Sequence, residues 1–163
     1  MKKIICILCI CIIGISGIQT AYAGVNNGKT DDSIKTEISL LNDQVKQNNT
    51  DLLELRKQMS SLTVSIQKKV TKLSSNKTAI TQAKVADLKT AVSLVKSSKD
   101  NIKNLKNDND NLKDFISAGK TAKAKKQFDQ ARENFNKAID LQEQRKQTLN
   151  AVISQLNTVD QLL

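Results

Sequence analysis

The side chains best suited to nucleophilic, redox or metal chemistry are gathered in the first 23 positions. Cys6, Cys9 and Cys11 are the three cysteines, Tyr22 is the sole tyrosine, and the chain has no His, Pro or Trp. From Gly24 to Leu163 none of these residue types occurs. Imidazole acid–base catalysis, a thiolate nucleophile and a His/Cys zinc site are therefore unavailable there. Carboxylates remain. Asp108-Asn109-Asp110 with Asp114 has the opening spacing of a calcium loop. Lys113 and Gly119 stand where its sixth-position glycine and twelfth-position glutamate belong, so an exposed polar helix turn is expected instead. Gly119-Lys120-Thr121 ends like a phosphate-binding loop, but Asp114 occupies the place of its first glycine and no strand precedes it. The expectation is a protein that is not an enzyme and uses no metal or cofactor.

If function does not lie in a reactive site, it lies in what the elements present. Lys2 and Lys3 precede an apolar run, Ile4 to Ile18, and then Ala21-Tyr22-Ala23. That is the layout of a secretory signal peptide over 1–23, with cleavage after Ala23. The run is shorter than the roughly 20 residues that span a bilayer, so membrane contact is expected only if the segment is kept as an anchor. Ile5, Leu8 and Ile10, none of them small, precede the three cysteines, so lipid attachment is not expected. The chain after the signal is read as exported: extracellular, cell-wall associated or periplasmic. Lacking cysteine, it must be stabilised by packing alone. Residues 24–32 read as a disordered leader, with Asp31, Asp32 or Ser33 capping the first helix.

Over residues 33–163 heptads dominate. Ile38, Val45, Leu52, Met59, Ile66, Leu73 and Ile80 are each seven apart, with Leu41, Asn48, Leu55, Leu62, Lys69, Asn76 and Ala83 three residues on. This spacing puts one face of a helix against a partner. A second stripe runs Leu88, Ala91, Val95, Ser98, Ile102, Leu105, Asn109, Leu112 and Ile116. A third runs from Ala124 and Phe128 through Ala131, Phe135, Ala138, Gln142, Arg145, Leu149, Val152, Leu156 and Val159 to Leu163. Leu53, Val70, Val92, Leu94, Ile139, Leu141, Ile153 and Leu162 flank these seams. The second stripe is one residue out of frame with the first, which implies a break. Ser74-Ser75-Asn76-Lys77-Thr78 suits a turn, and Gly119 follows a stripe as a helix C-terminal signal. Helices are expected at about 34–73, 78–118 and 121–163. Their similar lengths predict an all-α fold, an elongated antiparallel three-helix bundle or coiled coil. The alternative is a long self-associating coiled coil, in which Asn48, Asn76 and Asn109 would set register.

Phe128, Ala131, Phe135, Ala138, Ile139 and Leu141 together resemble the second helix of a tetratricopeptide repeat. Phe115, Ala118, Gly119 and Ala122 fall near the aromatic, leucine, glycine and tyrosine positions of its first helix. The resemblance implies one helix pair over 115–141. The chain departs from it at Ala122 and at Glu143, where the closing proline would be, and no second copy exists to stack on. Over Ser33 to Ile80, the heptads behind a signal segment resemble the N-terminal coiled coils of secreted Gram-positive cell-wall proteins, including the regulatory coiled coils of peptidoglycan hydrolases. That likeness implies a regulatory or scaffold element. Size, signal and basic charge are similar to the Skp/OmpH-like periplasmic chaperones, which also carry strands that this sequence lacks.

Charge is uneven. The chain has 26 Lys+Arg against 16 Asp+Glu. Residues 67–106 carry ten positive and two negative side chains, whereas 24–66 and 107–163 are nearly balanced. The candidate anion-binding residues are Lys68, Lys69, Lys72, Lys77, Lys84, Lys89, Lys96, Lys99, Lys103 and Lys106. Such a strip attracts an anionic polymer with strong salt dependence. Teichoic acid, lipopolysaccharide or phospholipid are the natural candidates for an exported bacterial protein. Nucleic acid is disfavoured, because no aromatics interleave and arginines are few. The sequence therefore predicts a structural or interaction element at the cell envelope, its partner a protein, an anionic polymer or a second copy of itself. The alternative is a holdase-type chaperone gripping extended polypeptide.

Overall fold

The computed structural model of the chain describes residues 32–75, 82–107 and 109–163, and every regular element among them is an α-helix. In chain order these are α1 (Asp32–Ser75), α2 (Gln82–Asn107), α3 (Asn109–Ala124) and α4 (Phe128–Leu162). The expected signal segment, residues 24–31 of the expected leader, and Asn76, Lys77 and Thr78 lie outside the described residues. Asp32 and Ser33, considered as caps, are the first two residues of α1. An acidic first turn and Lys72 in the last turn complement the helix dipole. Ser74 and Ser75 remain helical. Of the segment expected as one helix over 78–118, residues 82–107 and 109–118 are helical, in α2 and α3, and Asp108 lies outside the described residues.

The end expected at Gly119 is corrected: α3 continues through it to Ala124, and residues 125–127 form the turn. Gly119 is buried, and a Cβ there would meet Phe135 Cδ1 and Cε1 at 2.9 Å. The glycine thus lets the α3 backbone approach an aromatic ring; it does not stop the helix. The stop comes seven residues later. Lys126 N–H donates to Lys123 O at 3.1 Å, and Gln127 N–H to Ala122 O at 2.9 Å, with Lys126 at φ 60°. This pair of bonds is the Schellman arrangement that satisfies the last carbonyls of a helix. A lysine in the left-handed region costs about 1 kcal/mol relative to glycine, so sequence inspection for glycine misses this end.

The described residues fall into two compact units, and α1 and α4 contribute to both. One unit, here the aliphatic unit, comprises 54–75, 82–104 and 148–163. Its buried apolar residues are Met59, Ile66 and Val70 from α1, Leu88, Ala91, Val95 and Ile102 from α2, and Leu149, Val152, Leu156 and Val159 from α4. Fully burying each of the Val, Leu, Ile and Met side chains contributes about 1.5–3 kcal/mol. Its two buried polar residues are hydroxyls. Thr63 donates to Met59 O of its own helix at 2.8 Å, and Ser98 donates to Gln155 Oε1 at 2.8 Å.

The second, here the aromatic unit, comprises 32–53, 105–107 and 109–147. Ile38 and Val45 of α1, Leu112 and Ala122 of α3, and Ala131, Phe135, Ala138 and Ile139 of α4 form one core cluster. Phe115 and Phe128 pack against it, so all three phenylalanines of the chain serve this unit. The alternation of alanine and phenylalanine along α4 lets large side chains enter the spaces left by small ones. Leu53, expected to flank the seam, is 45% exposed, while the polar Asn42 is buried. On α1 the buried positions are strict heptad residues together with Asn42, Thr63 and Val70, four further on, and Asn48, three further on, whereas Leu41, Leu55 and Leu62 are only half-buried. A stripe of that width is wider than a two-helix seam.

Inter-helix contacts fix local directions. In the aromatic unit Arg132 pairs with Glu37, Gln142 with Val45 and Lys146 with Asp51, so numbers on α1 and α4 rise together. In the aliphatic unit Asp160 of α4 accepts from Ser65 of α1. There Lys84 contacts Leu162 and Ser98 contacts Gln155, so α2 and α4 run in opposite senses.

Candidate anionic-ligand surface

The ten lysines singled out by charge do not share one environment. Lys77 lies outside the described residues, and Lys106 is placed only as a helical residue of α2. Lys69 and Lys84 are half-buried and engaged with the end of α4. Lys69 Nζ forms an ion pair with Asp160 Oδ2 at 3.0 Å and also donates to the Asp160 carbonyl oxygen. Lys84 Nζ donates to Leu162 O at 2.7 Å. The last carbonyls of a helix have no partner within it, and its dipole places partial negative charge there. Two lysines from neighbouring helices supply what α4 lacks.

Asp160 completes this clasp. Burial works to raise its carboxyl pKa, but hydrogen bonds from Lys69 and Ser65 and the Lys69 charge outweigh that, leaving it below the ordinary value. The Ser65 bond is 2.8 Å long.

The other six, Lys68, Lys72, Lys89, Lys96, Lys99 and Lys103, are exposed. Among the described residues none of them enters an ion pair. Lys89, Lys96 and Lys103 each follow a buried residue, namely Leu88, Val95 and Ile102, and so recur along one flank of α2. Each step of two turns rises about 10.5 Å. Lys99 lies one turn from both Lys96 and Lys103 on the same side. The buried stripe that holds α2 in place therefore also fixes the line of its lysines.

In the aromatic unit five basic side chains, Lys35, Lys46, Arg132, Lys137 and Lys146, are matched with carboxylates among the described residues. Lys123, Lys125 and Lys126 cluster at the α3 C-terminal turn, where the helix dipole favours cations. Counted over the sequence of each unit from residue 32 on, the aromatic unit has twelve positive and eleven negative side chains, the aliphatic unit eleven and four. Of the latter's cations, Lys57 and Lys69 form ion pairs and Lys84 is engaged with the end of α4.

A cluster that charge counting missed lies on α1 and α4 of the aromatic unit. Gln142, fully buried, donates to Val45 O and to Asn49 Oδ1, both at 3.0 Å. Lys146 donates to Asn48 Oδ1 at 3.0 Å and is paired with Asp51 at 3.4 Å and Glu143 at 2.7 Å. The Glu143 hydrogen bond, with Asp51 adding to it, raises the Lys146 ammonium above its ordinary pKa despite the opposing effect of burial. Arg145, also buried, donates to Leu105 O at 3.4 Å. Gln142 and Arg145 stand on the third apolar stripe, and that interruption was its only sequence signal. The partners form an inter-helix contact in which Asn48 Nδ2 and Gln142 Oε1, both buried, have no hydrogen-bond partner among the described residues.

No group of three or more His, Cys, Asp or Glu among the described residues is placed to hold a metal ion. Of the carboxylates suggestive of a calcium loop, Asp108 lies outside the described residues, and Asp110 and Asp114 belong to α3, with Asp114 exposed. Among the described residues no helix is long and apolar enough to cross a membrane. No protein-family model, curated protein or solved structure matches the chain. The class defined by fold and surface is an all-α helical bundle protein with one strongly basic unit.

Proposed function

We propose that this is an exported, non-catalytic helical protein that acts as a structural or interaction element at the cell envelope, engaging an anionic polymer or a protein partner through α2. The observation that carries this reading is the line of exposed lysines on α2 that enter no ion pair, beside two others already committed to α4. Unpaired like charges on one flank repel each other, and folding gains nothing from them. A polyanion would relieve that repulsion. The chemistry of residues 24–163, which lack His and Cys, supports a non-catalytic role.

Within each unit the arrangement we propose is an antiparallel three-helix bundle. It is supported by the rising pairs Glu37–Arg132 and Asp51–Lys146, each 95 residues apart. The falling pairs Lys84–Leu162 and Ser98–Gln155 support it too. An export role rests on the layout of residues 1–23.

The test is retention of the protein on purified anionic cell-envelope polymer. Binding at low ionic strength that vanishes in moderate salt is the expected result. Retention that ignores salt, or suppression of a client protein's aggregation without polymer binding, would replace this reading with the chaperone one.

A further inference from the structure

The lysines of α2 are laid out for a particular shape of anion. Lys89, Lys96 and Lys103 span fourteen residues, about 21 Å along the axis. A single phosphate needs several donors converging on one point, whereas these lysines are strung out along the axis, with Lys89 and Lys96 two turns apart and Lys96, Lys99 and Lys103 one turn apart in succession. A bilayer surface calls for large apolar side chains beside the cations, to enter the headgroup boundary. The exposed large hydrophobics of the described residues are Leu40, Leu53 and Val64, all on α1. The residues exposed around the α2 lysines are Thr90, Ser93, Ser97 and Asn104. A duplex or stacked nucleic acid would use arginine forks and aromatic platforms, which α2 lacks.

We propose that α2 binds a linear phosphodiester- or phosphate-type polyanion, more than 20 Å long, running lengthwise over Lys89, Lys96, Lys99 and Lys103. This rests on the reading of α2 as the working surface, and narrows it to one ligand shape. Its contacts are charge to charge, so affinity falls with salt in proportion to the number of lysines neutralised. Asp100, exposed one turn from Lys96 and next to Lys99, is the only acid within the line and opposes binding.

The probes are long-chain inorganic polyphosphate, orthophosphate, and vesicles of phosphatidylglycerol in phosphatidylcholine, titrated against the protein at several salt concentrations. Long polyphosphate is expected to bind at least a hundred-fold more tightly than orthophosphate. Each of Lys89→Gln, Lys96→Gln and Lys103→Gln should lower the log–log salt slope by about one. Asp100→Lys, at an exposed position that leaves the fold unaffected, should tighten binding several-fold. Helix content measured on every variant separates lost binding from lost structure. Equal affinity for orthophosphate and long polyphosphate, or an unchanged affinity in Asp100→Lys, would overturn the lengthwise polymer. Preference for the vesicles would overturn it too, while leaving α2 as an anion-binding surface. Absence of binding to all three probes would overturn both.

Discussion

The two units of this molecule solve the same packing problem with different materials. The aliphatic unit buries Leu, Ile, Val, Met and Ala in regular stripes, and its buried polar residues among the described ones are two hydroxyls, Thr63 bonded within its own helix and Ser98 bonded to Gln155 of α4. The aromatic unit buries Phe135, two amides of α1, Gln142 and the Arg145 guanidinium. It also pairs Arg132, Lys137 and Lys146 with carboxylates. Hydrogen-bonded groups in a core fix one arrangement, because any shift along the helix leaves them unpaired at a cost of about 1–3 kcal/mol each. Uniform aliphatic stripes demand less of their surroundings. The aliphatic unit therefore carries a line of exposed charge on α2 that folding does not use, whereas the aromatic unit uses Arg132, Lys137 and Lys146 in ion pairs.

The largest effect expected of this contrast is in the aromatic core. Phe135→Ala removes a fully buried ring beside a glycine that has no atoms to fill the space, and should cost about 3–5 kcal/mol in denaturant unfolding. Little loss there would mean the unit is not organised around that ring. Next, polar truncations should differ between the units. Gln142→Ala gives up two inter-helix hydrogen bonds and should cost about 2 kcal/mol, whereas Ser98→Ala gives up one and should cost about 1 kcal/mol. Equal costs would remove the distinction drawn between the cores.

A smaller effect tests the close approach of α3 to α4. Gly119→Ala gains helix propensity of about 1 kcal/mol but drives a methyl into a ring with nowhere to move, for about 1–3 kcal/mol of strain. The net expectation is a loss of about 1 kcal/mol. In a Phe135→Leu background the same change should turn neutral or stabilising. A stabilised Gly119→Ala single variant would restore the helix-ending role for the glycine.

The smallest effect concerns the clasp on α4. The Asp160 carboxyl is held below its ordinary pKa, so its contribution is complete above the unfolded value of about 4 and is lost as pH falls through the lower folded value. Asp160→Asn should flatten that part of the acid-unfolding curve and leave the curve above pH 5 parallel to the parent's. An unchanged acid limb would show that Lys69 does not sense the carboxylate.

Much of the fold is legible in the sequence because heptad spacing reports burial directly. Ile38, Val45, Leu52, Met59 and Ile66, each seven apart, are all buried, and so are Gln142 and Arg145, named on the third stripe despite their polarity. What spacing does not encode is what lies opposite. Gly119 reads the same whether it ends a helix or admits a ring, and only Phe135, sixteen residues on, decides between them. The true end at Lys126 carries no glycine at all. The lysines are illegible for a similar reason. Lys84 and Lys89 are alike in sequence, but one reaches a carbonyl at the end of α4 and the other reaches nothing. Charge counting located the basic helix without showing which of its cations are free.

The central claim is that exposed, unpaired lysines of the aliphatic unit form the binding surface, while the matched lysines of the aromatic unit do not. Two triple variants compare them at equal change in net charge: Lys89→Gln with Lys96→Gln and Lys103→Gln, against Lys35→Gln with Lys46→Gln and Lys137→Gln. Affinity for long polyphosphate at low salt is the readout. The account predicts that the first triple lowers it at least a hundred-fold and the second by no more than about three-fold. Equal losses in the two would show that net charge alone drives binding and would contradict it.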